Sequence, residues 1–502
     1  MNDFVASIML MGAMASTDGY LPYWMTTNQY GLMPERRGGL ALLQVYSQSD
    51  KSRTIKYSCG VSLATNAYHN PLDPSSRTVN LMADELYGSV KWKLLTLDIG
   101  IKHRENDFIG ASRELGSLSV TGGHLVETGN ARSMPGYLLS LDPVALPLTK
   151  KHLWLYGAYG DYMTMDDRHV EGALVHRMRL GLRYAATDRL SFDAMIDHYA
   201  MWAGHHPTDV SYPVTIKNYI KVVTGRHAGE GGTMSDRLNV IGDHGGSEIF
   251  RVTYRVDKWT LTAQHDIPYN DGSGMGFYNF PDGVNTLSFS FTDKNRWVSD
   301  ILYEHQYTLY QSGPINGEMF DDKGNSITPP GVSTVGIDDY FANSYYRSGW
   351  TYHGRVIGDP LFLPRGVHEQ TWTSARINRG IENNRVKSHH LGLGGKLFRK
   401  HPYKLMLTYT ENYGTYQAPY TGESQIQKPW GTVHETGLKQ ISAAFTGQLE
   451  SVFRIPGLSV LYGLYLDKGQ LYQDAIGLTV GVRYTLGRGE VKHFDDMFIL
   501  RY

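Results

Sequence analysis

A strict alternation of apolar and polar residues, repeated in many short segments, constrains the fold of this chain more than any other feature. Residues 478–486 read Leu, Val, Val, Tyr, Leu on one parity and Thr, Gly, Arg, Thr on the other. Successive side chains of a strand point to opposite faces, so this segment has one apolar face and one polar face. The same pattern recurs at 250–256, 259–264, 391–397, 403–409 and 458–466. It predicts an antiparallel sheet of many strands.

The polar parity of two neighbouring segments is charged. Residues 174–184 carry Arg177, Arg179 and Arg183, and the next segment, after a turn at 187–188, carries Asp193 and Asp197. Opposite charges on adjacent strands pair across one face of a sheet. A charged inner face with an apolar outer face is the arrangement of a membrane barrel. A soluble sandwich is the alternative, because alternation alone does not say which face meets lipid.

We therefore predict an all-β protein, a single transmembrane antiparallel β-barrel over residues 1–502, in the bacterial outer membrane and surrounded by its lipids. The 35 Tyr, 9 Trp and 55 Gly residues suit many strands with aromatic girdles. A chain of 502 residues gives roughly 16–20 strands at about ten residues each plus connections. We expect short periplasmic turns at 187–188, 257–258 and 293–296, and long extracellular loops at 204–247, 266–286, 311–350 and 413–438.

Composition excludes several other classes of protein. A formal net charge of −1 offers no basic footprint for nucleic acid. A single cysteine, Cys59, rules out an intrachain disulfide framework and a multi-cysteine metal site, and we expect it in a strand, buried or facing lipid. The sequence contains no run of 18 apolar residues, so it does not predict a membrane-spanning helix. Residues 13–15 resemble a signal-peptide cleavage site, but no Lys or Arg precedes the apolar run, so we expect residues 4–15 to form the first strand.

Short motifs spread along most of the chain resemble one family of outer-membrane proteins. Residues 21–31 place an aromatic pair before an Asn and a Gly, and residues 129–135 contain Gly-Asn-Ala-Arg followed by Pro. Further stretches are 242–247, 271–275, 303–304, 311–313, 338–340, 349–350, 357–361 and 384–385. In this order they resemble the Wzi-like capsule-assembly family.

That resemblance implies a barrel of about eighteen strands that holds or assembles capsular polysaccharide at the cell surface without catalysis or cofactor, in effect a lectin. Its implied partners are surface polysaccharide and capsule export machinery. The chain departs from those members that carry a periplasmic helical bundle, since it has no comparable amphipathic helical stretch. The alternative function is a porin or solute channel. Charged pairs and inward-folded loops in the lumen predict closure, whereas a sparse lumen predicts conductance.

Four groups of residues are candidates for polysaccharide contact. Asp338, Asp339 and Tyr340 with Trp350 combine carboxylates and ring faces, as sugar sites do, although an aromatic girdle is the alternative. Arg177, Arg179 and Arg183 would bind acidic sugars bidentately, unless they pair with Asp193 and Asp197. The last two groups are predicted loop residues, namely Asp243 with His244, and Asp271.

Catalytic and metal sites are not predicted. Ser273 with His265 and Asp266 lies in a Gly-rich stretch typical of turns. Adjacent Asp338 and Asp339 do not provide the separation that a glycosidase needs. The adjacent pairs His205-His206 and His389-His390 would point to opposite faces of a strand and so could not share a metal ion.

Overall fold

The computed structural model describes residues 3–50, 52–69, 77–103, 116–227, 240–270, 276–364 except 316, 322, 329, 331–333 and 335, then 380–421 and 436–488. The strands are β1 Asp3–Ala15, β2 Gly38–Gln48, β3 Ile55–His69, β4 Arg77–Trp92, β5 Leu95–Ile101, β6 Gly136–Ala145, β7 Leu153–Met163, β8 Leu174–Ala185, β9 Leu190–Trp202, β10 Asp243–Val256, β11 Trp259–Tyr269, β12 Gly283–Phe291, β13 Asp300–Tyr307, β14 Thr351–Tyr352, β15 Arg355–Val356, β16 Leu363–Pro364, β17 Ile381–Asn383, β18 Val386–Leu397, β19 His401–Asn412, β20 Leu438–Glu450, β21 Leu458–Gly469 and β22 Ala475–Arg488. The helices are α1 Tyr23–Thr26, α2 Ile216–Val223 and a 3₁₀ turn, Val452–Arg454.

Eighteen of these strands form one closed antiparallel barrel. Strands β1–β13 and β18–β22 each pair with their neighbours in chain order, and β1 closes the ring by pairing with both β2 and β22. Closure leaves no edge strand with unpaired backbone groups, as a bilayer requires. The predicted fold class and strand number are confirmed, and residues 4–15 do lie in the first strand.

Burial is inverted relative to a soluble barrel. In β22 the apolar Val480 and Val482 are 50% and 48% exposed, whereas the polar Thr479 and Arg483 on the other parity are 3% and 7% exposed. Cys59 is also exposed, on the outward parity of β3. An apolar band on the outside needs lipid around it, because water contact would cost about 25 cal/mol for each Å² of that surface. Among the described residues, no helix is both long and apolar enough to cross a membrane.

The two ends of the barrel differ in the length of their connections. One end has the short turns 49–54, 93–94, 146–152, 186–189, 257–258, 292–299, 398–400 and 451–457. The other end has loops as long as 203–242 and 308–385. By the rule for such barrels, the short turns face the periplasm and the long loops face outward. The predicted loops extend too far into the strands at this end. Residues 266–269, expected in a loop, belong to β11, and residues 283–286 belong to β12. Residues 243–247, expected in a loop, belong to β10, because Asp243 to Ser247 continue the ladder with β9.

The core of the molecule lies inside the barrel. Three segments from the long-loop end enter the lumen, and we call them together the plug: residues 21–33, 116–134 and 338–362. Their apolar side chains could not remain in water at low free-energy cost. They pack against one another and against lumen-facing wall residues, forming one cluster that includes Trp24, Val126, Phe341, Trp350, Phe362, Tyr199, Met201, Val386 and Met406.

Candidate functional site

The plug is anchored to the wall through the buried carboxylate of Glu304 on β13. Its oxygens accept hydrogen bonds from Ser119 Oγ at 2.6 Å, from the Val120 backbone N–H at 2.7 Å and from Thr121 Oγ1 at 3.1 Å. Hydrogen bonds to a charged acceptor are stronger than neutral ones. Glu304 therefore fixes the start of the second plug segment.

Other contacts attach the plug around the circumference of the barrel. Trp24 Nε1 donates to Thr408 Oγ1 on β19 at 3.0 Å, and the Tyr23 N–H donates to Asp467 Oδ2 on β21 at 2.8 Å. Four strands from β19 in the ring, the Leu125 N–H donates to Asp266 Oδ2 on β11 at 2.8 Å. Across the barrel from β11, Asn66 Nδ2 on β3 donates to Leu32 O at 2.8 Å. The plug is therefore held from several directions, which gives it one defined position.

Several of the motifs that carry the family resemblance meet inside this plug. The Tyr30 N–H donates to Gly129 O at 2.6 Å, and Asn130 Nδ2 donates to Val356 O at 3.0 Å. Asp359 Oδ2 accepts from Gln306 Nε2 at 2.6 Å. Segments that are far apart in the sequence thus form one hydrogen-bonded unit. Alternation along the strands could not predict this, since it says nothing about where a loop goes.

The predicted aromatic and acidic constellation is buried in the same unit. Asp338 accepts from Asn279 Nδ2 at 2.6 Å, and Asp339 accepts from Asn384 Nδ2 at 2.8 Å. Tyr340 donates to Asp282 Oδ2 at 2.8 Å, and Trp350, only 1% exposed, stacks on Tyr199 with ring centroids 3.8 Å apart. The girdle interpretation is wrong for Tyr340 and Trp350, because both lie inside the barrel. Their predicted contact with sugar stays a prediction.

The arginine strip is brought together, and it is paired. Arg177 binds Asp197 through Nε at 3.0 Å and Nη2 at 2.6 Å, and Arg179 Nη2 lies 2.9 Å from the same carboxylate. Arg183 Nε binds Asp193 at 2.8 Å. These are the cross-strand pairs that the sequence indicated, since residues 179 and 183 lie directly opposite 197 and 193. The alternative of internal pairing is confirmed, and any role in sugar contact stays a prediction.

The remaining sequence candidates are dispersed. Asp243 is buried and accepts from Asn343 Nδ2 at 2.9 Å. His244 lies on the outer parity of β10, 3.0 Å from the ring of His198. Asp271 and Ser273 lie outside the described residues. His265 and Asp266 point to opposite faces of β11, as neighbours in a strand do.

A polar recess lies in the lumen near the long-loop end, and sequence reasoning did not locate it. Its empty space, counted together with the open solvent at its mouth, is about 420 Å³. Wall strands and plug segments both contribute. Its lining consists of Gly31, Met33, Glu35, Asn66, Tyr68, Asn80, Arg132, Tyr352, His353 and Arg355.

Two arginines dominate the electrostatics of this recess. Arg132 and Arg355 both approach Gly31, where an added Cβ would lie 3.5 Å and 3.4 Å from their side chains. Burial lowers the pKa of both guanidinium groups; nearby Glu35 opposes the shift for Arg355, and Arg132 adds to it. Among the described residues, no carboxylate forms an ion pair with either group. Two neighbouring, partly desolvated cations are suited to binding an anion.

Polar groups beside the arginines could accept and donate hydrogen bonds to a ligand. Asn80 Nδ2 donates to Asn66 Oδ1 at 2.9 Å, and Asn66 Nδ2 donates to Leu32 O at 2.8 Å. The ring of Tyr352 contacts that of His353, with centroids 4.4 Å apart. Burial, followed by the charge of Arg132, lowers the pKa of His353, which keeps its imidazole neutral. Amides, an aromatic face and two guanidinium groups are the groups that recognise an acidic sugar.

One cluster with metal-ligand character was also missed. Asp84, Glu85 and His103 place their ligand atoms within 4.8 Å of one another. A β-bulge opposite Ser62 and Leu63 turns both adjacent carboxylates into the lumen. His103 Nε2 lies 2.7 Å from Asp84 Oδ1. Alternation with period two would have placed one of these carboxylates on the lipid side, so the sequence hid the cluster.

Comparison with known proteins gives the fold. No family model matches the chain, and no curated protein matches it. Among solved structures, Wzi of Escherichia coli, described as a carbohydrate-binding β-barrel involved in group 1 capsule assembly, matches with a TM-score of 0.51 at 11% identity, covering 95% of this chain and 83% of that chain. The chain has the fold of an outer-membrane β-barrel. With its apolar outer band, that fold places it in the bacterial outer membrane.

Other barrels match with lower scores. OccK5 (OpdH) of Pseudomonas aeruginosa has a TM-score of 0.42 at 10% identity, covering 97% of this chain and 98% of that chain. OpdK of the same organism has a TM-score of 0.45 at 10% identity, with 97% and 99% covered.

Proposed function

We propose that the protein is a non-enzymatic, Wzi-like outer-membrane lectin that binds surface polysaccharide through the recess around Arg132 and Arg355. The observation that carries the proposal is the pair of neighbouring arginines, neither of which forms an ion pair with a carboxylate of the described residues. The recess lies where β3 ends and β4 begins, at the end of the barrel that carries the long loops. A polymer at the cell surface would reach that end first.

Charge favours an acidic polysaccharide over a neutral one. A uronic acid carboxylate could bind both guanidinium groups and offset their mutual repulsion. Sugar hydroxyls would meet Asn80 and Tyr352, and the ring of Tyr352 offers an apolar face to sugar C–H groups. The Arg177 to Arg183 strip is already paired, so it contributes less to binding in this proposal.

Binding of the detergent-folded protein to acidic polysaccharide purified from its own source cells tests the proposal. We expect saturable binding to wild type and a loss of about tenfold or more in Arg132→Gln, since charged hydrogen bonds contribute about 1.5–3 kcal/mol. The matched control is Arg226→Gln, which removes an exposed arginine outside the recess. Equal affinity of wild type and Arg132→Gln would contradict the assignment of the recess.

The second candidate function is a solute channel. The strand count favours it, because barrels of 16–18 strands commonly leave an aqueous passage. In that case the two arginines would bind a small carboxylate on its way through the lumen. Single-channel conductance separates the two functions, since the lectin needs no open passage.

A further inference from the structure

Helix α2 lies on the outside of the barrel. Its Tyr219 hydroxyl donates to Asp161 Oδ2 on β7 at 2.8 Å. The Tyr219 ring lies 5.6 Å from the rings of both His176 on β8 and Trp202 on β9. These three wall residues have outward parity, since their neighbours at 162, 175 and 201 belong to the lumen cluster. Val222, in the last turn of the helix, is fully buried and packs with Trp202 in one apolar cluster.

The location of α2 along the strands is the outer rim. His176 lies near the start of β8 and Trp202 ends β9, both at the long-loop end of the barrel. Towards the middle of β8, the outward residues are the exposed Met178, Leu180 and Leu182. The helix therefore lies at the border of the lipid-facing band that is nearest the long loops.

Helix α2 has an exposed apolar face and a basic face on which Lys217 is exposed and Lys221 is half-buried. Ile216 and Ile220 are four residues apart on one face and are 80% and 50% exposed. Lys217 and Lys221 are four residues apart on another face, separated from the isoleucines by about 100° of helix rotation. An apolar face of this kind is unfavourable in water, and the helix that carries it lies at the border of the surface that faces lipid.

We propose that α2 is an interfacial helix seated in the outer leaflet, with Ile216 and Ile220 at the acyl boundary and Lys217 at phosphate-bearing headgroups. Amphipathic helices lie in the plane of the interface in this way, bound by buried apolar area and by attraction to anionic lipid. Lysine side chains extend their charged ends towards the headgroups while their stems stay against apolar surface. Tyr219 fixes the helix to the wall, so the contact is held at one depth.

Depth-dependent fluorescence quenching tests the part of the proposal that places Ile216 and Ile220 at the acyl boundary. The full chain carrying Cys59→Ser would receive one environment-sensitive label at Ile216→Cys or Ile220→Cys, in vesicles of phosphatidylcholine and phosphatidylglycerol. We expect brominated lipid to quench these labels several-fold more than the matched label at Lys217→Cys, and aqueous iodide to show the reverse order. Equal quenching at all three positions would overturn the proposal.

A change of lipid charge tests the proposed contact between the basic face of α2 and the headgroups. For the label at Ile220→Cys, we expect stronger quenching by brominated lipid when phosphatidylglycerol is present than in phosphatidylcholine alone. Lys217→Gln should remove that difference, while Lys258→Gln, in a periplasmic turn, should keep it. Quenching that does not depend on phosphatidylglycerol would overturn the assignment of headgroup contact. Neither result depends on whether the recess binds polysaccharide.

Discussion

At the scale of single residues, the lumen is organised around buried carboxylates that each serve several donors. Asp197 is fully buried and binds Arg177 and Arg179, and His124 Nε2 of the plug lies 2.8 Å from its Oδ2 atom. A buried charge is tolerable only when paired and hydrogen-bonded. The pairing therefore explains why such charged side chains can lie inside the barrel.

Stability should depend on pH through His124. Its Nδ1 accepts the N–H groups of Val126 and Glu127 at 3.2 and 3.3 Å, so the neutral ring is the one that fits. Burial lowers the pKa of His124 to about 4. Because the folded-state pKa is lowered, His124 contributes fully to the free energy of unfolding above about pH 6.5. This contribution is lost as the pH falls towards 4. The loss is at most about 3 kcal/mol.

The measurement is the free energy of urea unfolding in vesicles, at neutral pH and near pH 4, for wild type and His124→Gln. We expect wild type to lose more stability than the variant. Burial raises the pKa of Asp282 and of Asp359 to about 7. The contribution of each group to the free energy of unfolding therefore increases as the pH falls. They are present in both proteins and cancel in the difference. An identical pH dependence in the two proteins would refute the role of His124.

The sequence predicted some residue contacts and missed others for a definable reason. The pairs of Arg179 with Asp197 and Arg183 with Asp193 followed from charge on facing strands, a local rule. The proximity of Arg132 to Arg355 could not be predicted in this way. The two residues lie in different plug segments, and the strand pattern does not show how those segments pack together. The motif at 129–135 marked Arg132 as notable without showing its neighbour.

At the scale of elements, the attachment of the second plug segment to β13 should depend on Glu304. Glu304→Ala removes the acceptor for three donors of residues 119–121, and each orphaned donor costs about 1–3 kcal/mol. We expect amide hydrogen exchange across residues 117–128 to become about tenfold or more faster. The control is Thr286→Ala, a wall residue whose hydroxyl contacts the same carboxylate. Unchanged exchange in Glu304→Ala would show that the anchor lies elsewhere.

Strands were predictable where loops were not. Each barrel strand has a lipid face and a lumen face, so its period of two is visible in the sequence. The bulge at Asp84 and Glu85 breaks that period and hid a cluster of three ligating residues. Helix α2 was also missed, because its eight residues lie within a stretch whose composition is typical of loops.

At the scale of the whole molecule, the protein is a wide barrel whose interior is occupied by its own loops. A hydrogen-bonded plug fastened to strands on opposite sides resists displacement as a unit. Such a barrel can present a binding recess to the outside without conducting solutes. A range of roughly 16–20 strands and the membrane location followed from the sequence, and the family resemblance implied about eighteen strands, whereas the position of the plug in the lumen required the structure.

Single-channel recording of the full chain in planar bilayers tests the central claim most directly. With the plug in place, we predict no steady open level across the range of voltages that the bilayer tolerates. Steady, ohmic conductance from the wild-type protein would contradict the account and favour the solute channel.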